Sequence, residues 1–162
     1  MQLYTIGFTQ KSLRQFADLL RGADVDGVVD IRLNNTSQLA GYAKRDDLAF
    51  ALELLGIGYL DEKRLAPTAD LLDRYHHDHD WPAYERAFRA LLAARPLPDV
   101  LAGIAARFQR PCLLCAEPEP DHCHRRLVTE AFQRLQPDLP VQHLVLAKPA
   151  HPVQRRGKRG TP

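Results

Sequence analysis

Short runs of β-branched, aromatic and aliphatic residues alternate with longer amphipathic segments along the chain, and this alternation limits the fold more than any other feature. QLYTI (2–6), GVVDIR (27–32), IGYL (57–60), PCLLCA (111–116) and VQHLVL (141–146) read as five strands. GVVDIR is apolar enough to be covered on both faces. Between the strands, Ser12 and Gln15 have the spacing of a capping box, and Leu13, Phe16, Leu19 and Leu20 follow at helical intervals. RDDLAFALELLG (45–56) carries acids in its first turn and Gly56 at its end, as a helix should. From Pro67 to Arg107 the pattern is helical in pieces broken at HHDHDW and RPLPD, and HRRLVTEAFQRL (124–135) is the last helix. Strands separated by helices predict a three-layer, Rossmann-like α/β fold: a mostly parallel sheet of about five strands with helices on both faces.

With 162 residues and no internal repeat, the chain fits one domain with a full core, expected over residues 1–147. The formal net charge of +2 is unevenly spread. KPAHPVQRRGKRGTP (148–162) holds five basic residues and no acid, and taking those five from +2 leaves −3 for residues 1–147. A Pro/Gly-rich, basic composition cannot bury apolar surface, so 148–162 is expected to be a disordered tail, and at most a weak, salt-sensitive tether to nucleic acid. MQLYTIGFTQKSLRQ lacks the charged region and long apolar run of a signal peptide, and no apolar run approaches a membrane span. Three cysteines, odd in number and crowded between 112 and 123, do not form a secreted disulfide framework, so a cytoplasmic location is expected.

In parallel α/β sheets ligands bind beyond the carboxyl ends of the strands. Three polar segments fall there: GFTQ after the first strand, RLNNTSQ after the second and CAEPEPDHCHRR after the fourth. Cys112 and Cys115, three apart on a strand, face opposite sides and cannot hold one ion together, which leaves Cys112 as a small buried hydrophobe. Cys115 ends a strand and Cys123 begins a helix, so the loop between them can bring the sulfurs close. A helix N-terminus with Arg125 and Arg126 nearby should depress the Cys123 thiol pKa. Cys115 and Cys123 are therefore candidate catalytic thiols, nucleophilic or redox, with a buried structural pair as the alternative.

Cys115, Cys123 and either His122 or His124 could supply three metal ligands. No second CxxC completes a site, and His76, His77 and His79 read as a solvated turn, so no metal ligand is assigned, and the sequence leaves the cofactor unknown. A phosphatase- or rhodanese-type loop needs an arginine six residues after the cysteine. Those positions hold Asp121 and Thr129, and the loop's acids with Pro118 and Pro120 oppose an anion cradle. The acids are expected instead to hold arginines, Glu117 with Arg125 and Asp30 with Arg126, in buried pairs.

Asn34, Asn35, Thr36, Ser37, Gln38, Tyr42 and Lys44, after Arg32, offer donors and acceptors suited to a nucleoside or base edge, although the same residue types also build turns. The candidate substrate-binding set is Thr9, Arg32, Asn34, Asn35, Ser37, Gln38, Lys44, Glu117, His122, His124, Arg125 and Arg126. Trp81, Tyr84 and Phe88 recur at helical spacing and are expected in the core.

Taken in order, YTIGFT, DIRLNNTSQLAGYAK, LAPT and CLLCAEPEPDHCHRRLV resemble the domain-of-unknown-function family 488, in its branch carrying RLNNTSQLAG, over roughly residues 1–146. The resemblance implies a Rossmann-like α/β fold and a loose link to DNA repair, and brings no established reaction. Phe8 stands where a His is usual, Asn35 replaces a proline and Ala66-Pro67 replaces a Gly-Gly pair, so chemistry requiring that first-loop His is not expected here. The expected function is a cysteine-dependent enzyme or binding protein acting on a nucleotide or nucleic-acid-derived substrate. The alternatives are a non-catalytic, nucleic-acid-associated module and a Cys/His metal-binding protein.

Overall fold

Each of the five apolar runs becomes a strand of one sheet. The structure, a computed structural model, describes residues 1–147, so the tail expected over 148–162 lies outside the described residues. The strands are β1 (Leu3–Gly7), β2 (Gly27–Asp30), β3 (Gly58–Asp61), β4 (Pro111–Cys115) and β5 (Val141–Leu144), in the order β3-β2-β4-β1-β5. Every pairing is parallel, so the sheet is wholly rather than mostly so. Strands lie within a residue or two of their expected limits. β2 stops at Asp30 because the Asp30 carboxylate accepts from the Arg32 backbone N–H at 3.1 Å and turns the chain out of the ladder.

Helices α1 (Leu13–Gly22) and α2 (Arg45–Leu54) cover one face, where Phe16, Leu20, Leu48 and Leu52 pack on Tyr4, Ile6, Val28 and Leu114. Cys112 lies in this layer, fully buried, and burial pushes its thiol far up. Helices α3 (Ala69–Asp78), α4 (Trp81–Ala93), α5 (Leu97–Ala105) and α6 (His124–Leu135) cover the other face over Leu3, Val29, Ile31 and Leu113. The domain is therefore three-layered. Both arms of the Ser12/Gln15 capping box form, at 3.2 and 2.9 Å. HHDHDW breaks the helix at His79, whose φ of 55° closes α3 before Asp80 caps α4.

One close approach fixes the rim where the site lies. Gly7 pairs with Cys115, and the chain beyond each strand stays zipped: Phe8 N–H donates to the Cys115 carbonyl and Thr9 N–H to that of Ala116. A Cβ at Gly7 would stand 1.6 Å from the Glu117 carbonyl oxygen, so only glycine lets the two segments meet.

Candidate functional site

β1, β2 and β4 end side by side, and the loops that follow them enclose a cavity of about 550 Å³. Phe8 comes from the first loop and Arg32, Leu33, Asn34 and Ser37 from the second. Cys115, Glu117, His122, Cys123 and His124 come from the third, and Tyr75, Trp81 and Tyr84 from α3 and α4 form an aromatic wall. Trp81 and Tyr84 stack at 5.3 Å between centroids, and Tyr75 lies 4.9 Å from Tyr84.

Two cysteines and one histidine converge at the cavity. His124 opens α6, and Cys123 is the residue that caps it. The His124 Nε2 lies 2.9 Å from the Ile31 carbonyl oxygen, an acceptor only, so Nε2 carries a proton and Nδ1 faces the Cys115 Sγ at 3.3 Å. The Phe88 ring stands edge-on to the imidazole and holds its plane. Burial pushes the Cys115 thiol up. A hydrogen bond from Cys123, the charge of Arg125 and the N–H groups of Ala116 and Glu117 outweigh that and hold it below its ordinary value. Burial and donation to this neighbour push Cys123 far above its own. Sequence reasoning expected the helix terminus to favour a Cys123 thiolate, and the structure reverses that assignment. The donors collect on Cys115, and Cys123 serves as one of them.

The Cys115 Sγ, Cys123 Sγ and His124 nitrogen lie within 4.8 Å of one another, so the described residues offer three ligands to a divalent cation, one short of a closed tetrahedral site.

Beside this group, Asp30 is fully buried at the end of β2 and takes Arg32 as a fork, accepting from Nε at 2.8 Å and Nη2 at 2.6 Å. Asp30 also accepts from the Tyr59 hydroxyl at 2.7 Å and from Asn35 Nδ2 at 3.1 Å. Burial pushes the Asp30 carboxyl up, but these bonds and the Arg32 charge win and hold it below the usual carboxylate range. The Arg32 guanidinium lies 5.1 Å over the Phe8 ring, and its Nη1 has no hydrogen-bond partner among the described residues.

The expected acid–arginine pairs do not form. Asp30 takes Arg32, two residues away on the same turn, rather than Arg126. Arg126 reaches Glu130 at 2.7 Å and Glu85 at 3.5 Å, where the faces of α6 and α4 meet. Arg125 is wholly buried and donates to the backbone carbonyls of Glu117 and Pro118, not to the Glu117 carboxylate, which is exposed. Arg125 and Arg126 thus lie outside the cavity lining and position the loop. Four other candidates are also absent from the lining. The Thr9 hydroxyl donates to the Ala116 carbonyl at 2.7 Å, Asn35 is buried against Asp30 and Asp61, Gln38 is exposed, and Lys44 lies 3.9 Å from Asp47.

The aromatic wall was missed. Phe88 is core as expected, but Trp81 and Tyr84, assigned to the core by spacing alone, turn one side toward the cavity. Their helix packs on α6, which starts at the cysteine loop, so one helical stripe serves core and cavity together. The short Trp81–His122 ring distance, 5.2 Å, ties the wall to that loop.

A family model described as Domain of unknown function DUF488 matches residues 12–132, well over half of the chain. No curated protein and no solved structure matches it.

Proposed function

The chain belongs to the DUF488 family, and from that premise we propose that it is a cysteine-dependent enzyme acting on a small planar substrate of the nucleotide or nucleic-acid-derived class. The supporting observation is the Cys115–His124 pair at an aromatic-lined cavity, with a thiol pulled down despite its burial. A thiolate is the nucleophilic form, and an imidazole fixed at its far nitrogen can hold and return one proton at Nδ1. In this reading the Cys115 sulfur attacks an electrophilic carbon and forms an S–C bond. The leaving group takes the proton held at His124 Nδ1. Water then displaces the sulfur, and its proton returns to Nδ1. Tyr75, Trp81 and Tyr84 supply flat contact surface for the ring. The expected location remains cytoplasmic, where thiols stay reduced. Among the described residues no helix is long and apolar enough to cross a membrane.

Alkylation with iodoacetamide across a pH series, with peptide mapping, tests the proposal. Cys115 should react first, with an apparent pKa below that of a free thiol, and Cys123 should lag. Alkylation of Cys115 with solution-like pH behaviour would remove the nucleophile.

The convergence of three ligand atoms favours a second reading, in which the same group holds zinc with its open position toward the cavity. Elemental analysis of freshly purified protein separates the two. Close to one zinc per chain would replace the thiolate reading.

A further inference from the structure

We infer that the cavity recognises the uncharged heterocyclic part of its substrate through a ring carbonyl that accepts a hydrogen bond from Arg32 Nη1, and that it has no phosphate subsite. The inference rests on the cavity's being the functional site and adds the class of group bound there.

Arg32 lines the cavity with only 4% of its surface exposed. One side of its guanidinium, Nε with Nη2, is taken by Asp30, and Nη2 also donates to the Ala43 carbonyl at 2.8 Å. Nη1 is the corner left over, buried and without a partner among the described residues. Buried donors left unpaired are costly, so a carbonyl entering the cavity gains by accepting from Nη1, which a small turn of the guanidinium toward the cavity brings within its reach.

The charge balance decides what that group is. Asp30 compensates Arg32 at 2.6 Å in a buried fork, so the guanidinium offers a directed donor rather than a free positive charge. Arg126 is paired with Glu130 and Glu85, and Arg125 is turned to backbone carbonyls behind the loop. The acid that does line the cavity, Glu117, repels an anion. Among the described residues a phosphate placed here would meet no uncompensated arginine, whereas a planar carbonyl heterocycle meets a donor, the Phe8 ring beneath that donor and the aromatic wall opposite.

The test measures binding of uracil, uridine, hypoxanthine, inosine and the two 5′-monophosphates to the full-length protein by ligand-observed NMR, with unsubstituted pyrimidine and purine as carbonyl-free rings. The carbonyl bases and nucleosides should bind at least about tenfold more tightly than the carbonyl-free rings. Each monophosphate should bind no better than its nucleoside, and affinities should hold between low and moderate salt. Arg32→Lys keeps a cation opposite Asp30 but removes Nη1, and should lose about tenfold in affinity; its Tm should also fall, because the fork on Asp30 and the bond to Ala43 go with the guanidinium. If that variant fails to fold, the ligand series on the unaltered protein still decides. Monophosphates binding tenfold more tightly, or carbonyl-free rings binding equally well, would overturn the inference. If no heterocycle binds while Cys115 keeps a depressed alkylation profile, the inference fails and the thiolate enzyme stands. Binding as expected with an ordinary Cys115 would instead sink the enzyme and leave the binding class.

Discussion

At the scale of single residues, the division of labour between the two sulfurs makes a specific prediction. Cys123 donates to Cys115, so Cys123→Ala should raise the apparent pKa of Cys115 alkylation and slow its reaction near neutrality. Cys123→Ser keeps a donor and should restore most of it. Equal profiles for the two variants would show that Cys123 does not stabilise its neighbour. Asp30 allows a second prediction, with its sign set by linkage. The fold holds this carboxyl below its ordinary value, so the unfolded chain binds the proton more readily. Stability from this group is complete above the ordinary carboxylate range and is lost as pH falls through the folded value, below about pH 4. Urea midpoints measured from about pH 6 to pH 3 should fall at the acid end, and less steeply in Asp30→Asn. That variant leaves the buried Arg32 unpaired and should cost about 3–5 kcal/mol even at neutral pH. Such assignments were only half legible in the sequence. Spacing located both thiols at one rim, but which sulfur collects donors depends on where the Ala116 and Glu117 N–H groups point, and spacing does not carry that. The arginine pairings failed for a related reason. Asp30 takes the nearest arginine along its own turn, and Arg125 finds carbonyl oxygens rather than acids.

At the scale of elements, the sheet rim depends on the contact of two strand ends. Gly7→Ala puts a methyl group inside the Glu117 carbonyl, a backbone atom that cannot swing away, so the loop must lift. Differential scanning calorimetry should show a Tm lowered by several degrees, and Cys115 should lose part of its low-pH reactivity as its N–H donors move. A variant with native Tm and an unchanged profile would show that the rim yields without cost. The elements themselves were read well from pattern, because strands apolar on both faces and helices with one apolar stripe are different periodicities. The last helix, 124–135, was read to the residue. Periodicity shows that a stripe is buried, not what it is buried against. The aromatic stripe of α4 was therefore identified while its cavity-facing side was not.

At the scale of the whole molecule, the described residues that line the cavity run from Phe8 to His124, so a chain ending at residue 147 should keep its thiol profile and its ligand binding. Gel-shift titration in low salt should show that any nucleic-acid affinity goes with 148–162. Loss of cavity binding on truncation would tie that segment to the site, and retained nucleic-acid binding would place that affinity on the domain. The convergence of three loops was legible because a parallel sheet sends every strand end to one edge, whatever the loops contain. The full enclosure of Arg125 has a final consequence. Among the described residues no carboxylate pairs with it, and its donors go to the backbone carbonyls of Glu117 and Pro118. The cysteine loop is thereby hung on a cation with no other partner to turn to. Peeling that loop away would leave the charge bare in the interior, so the rim and the root of the last helix come apart together or not at all.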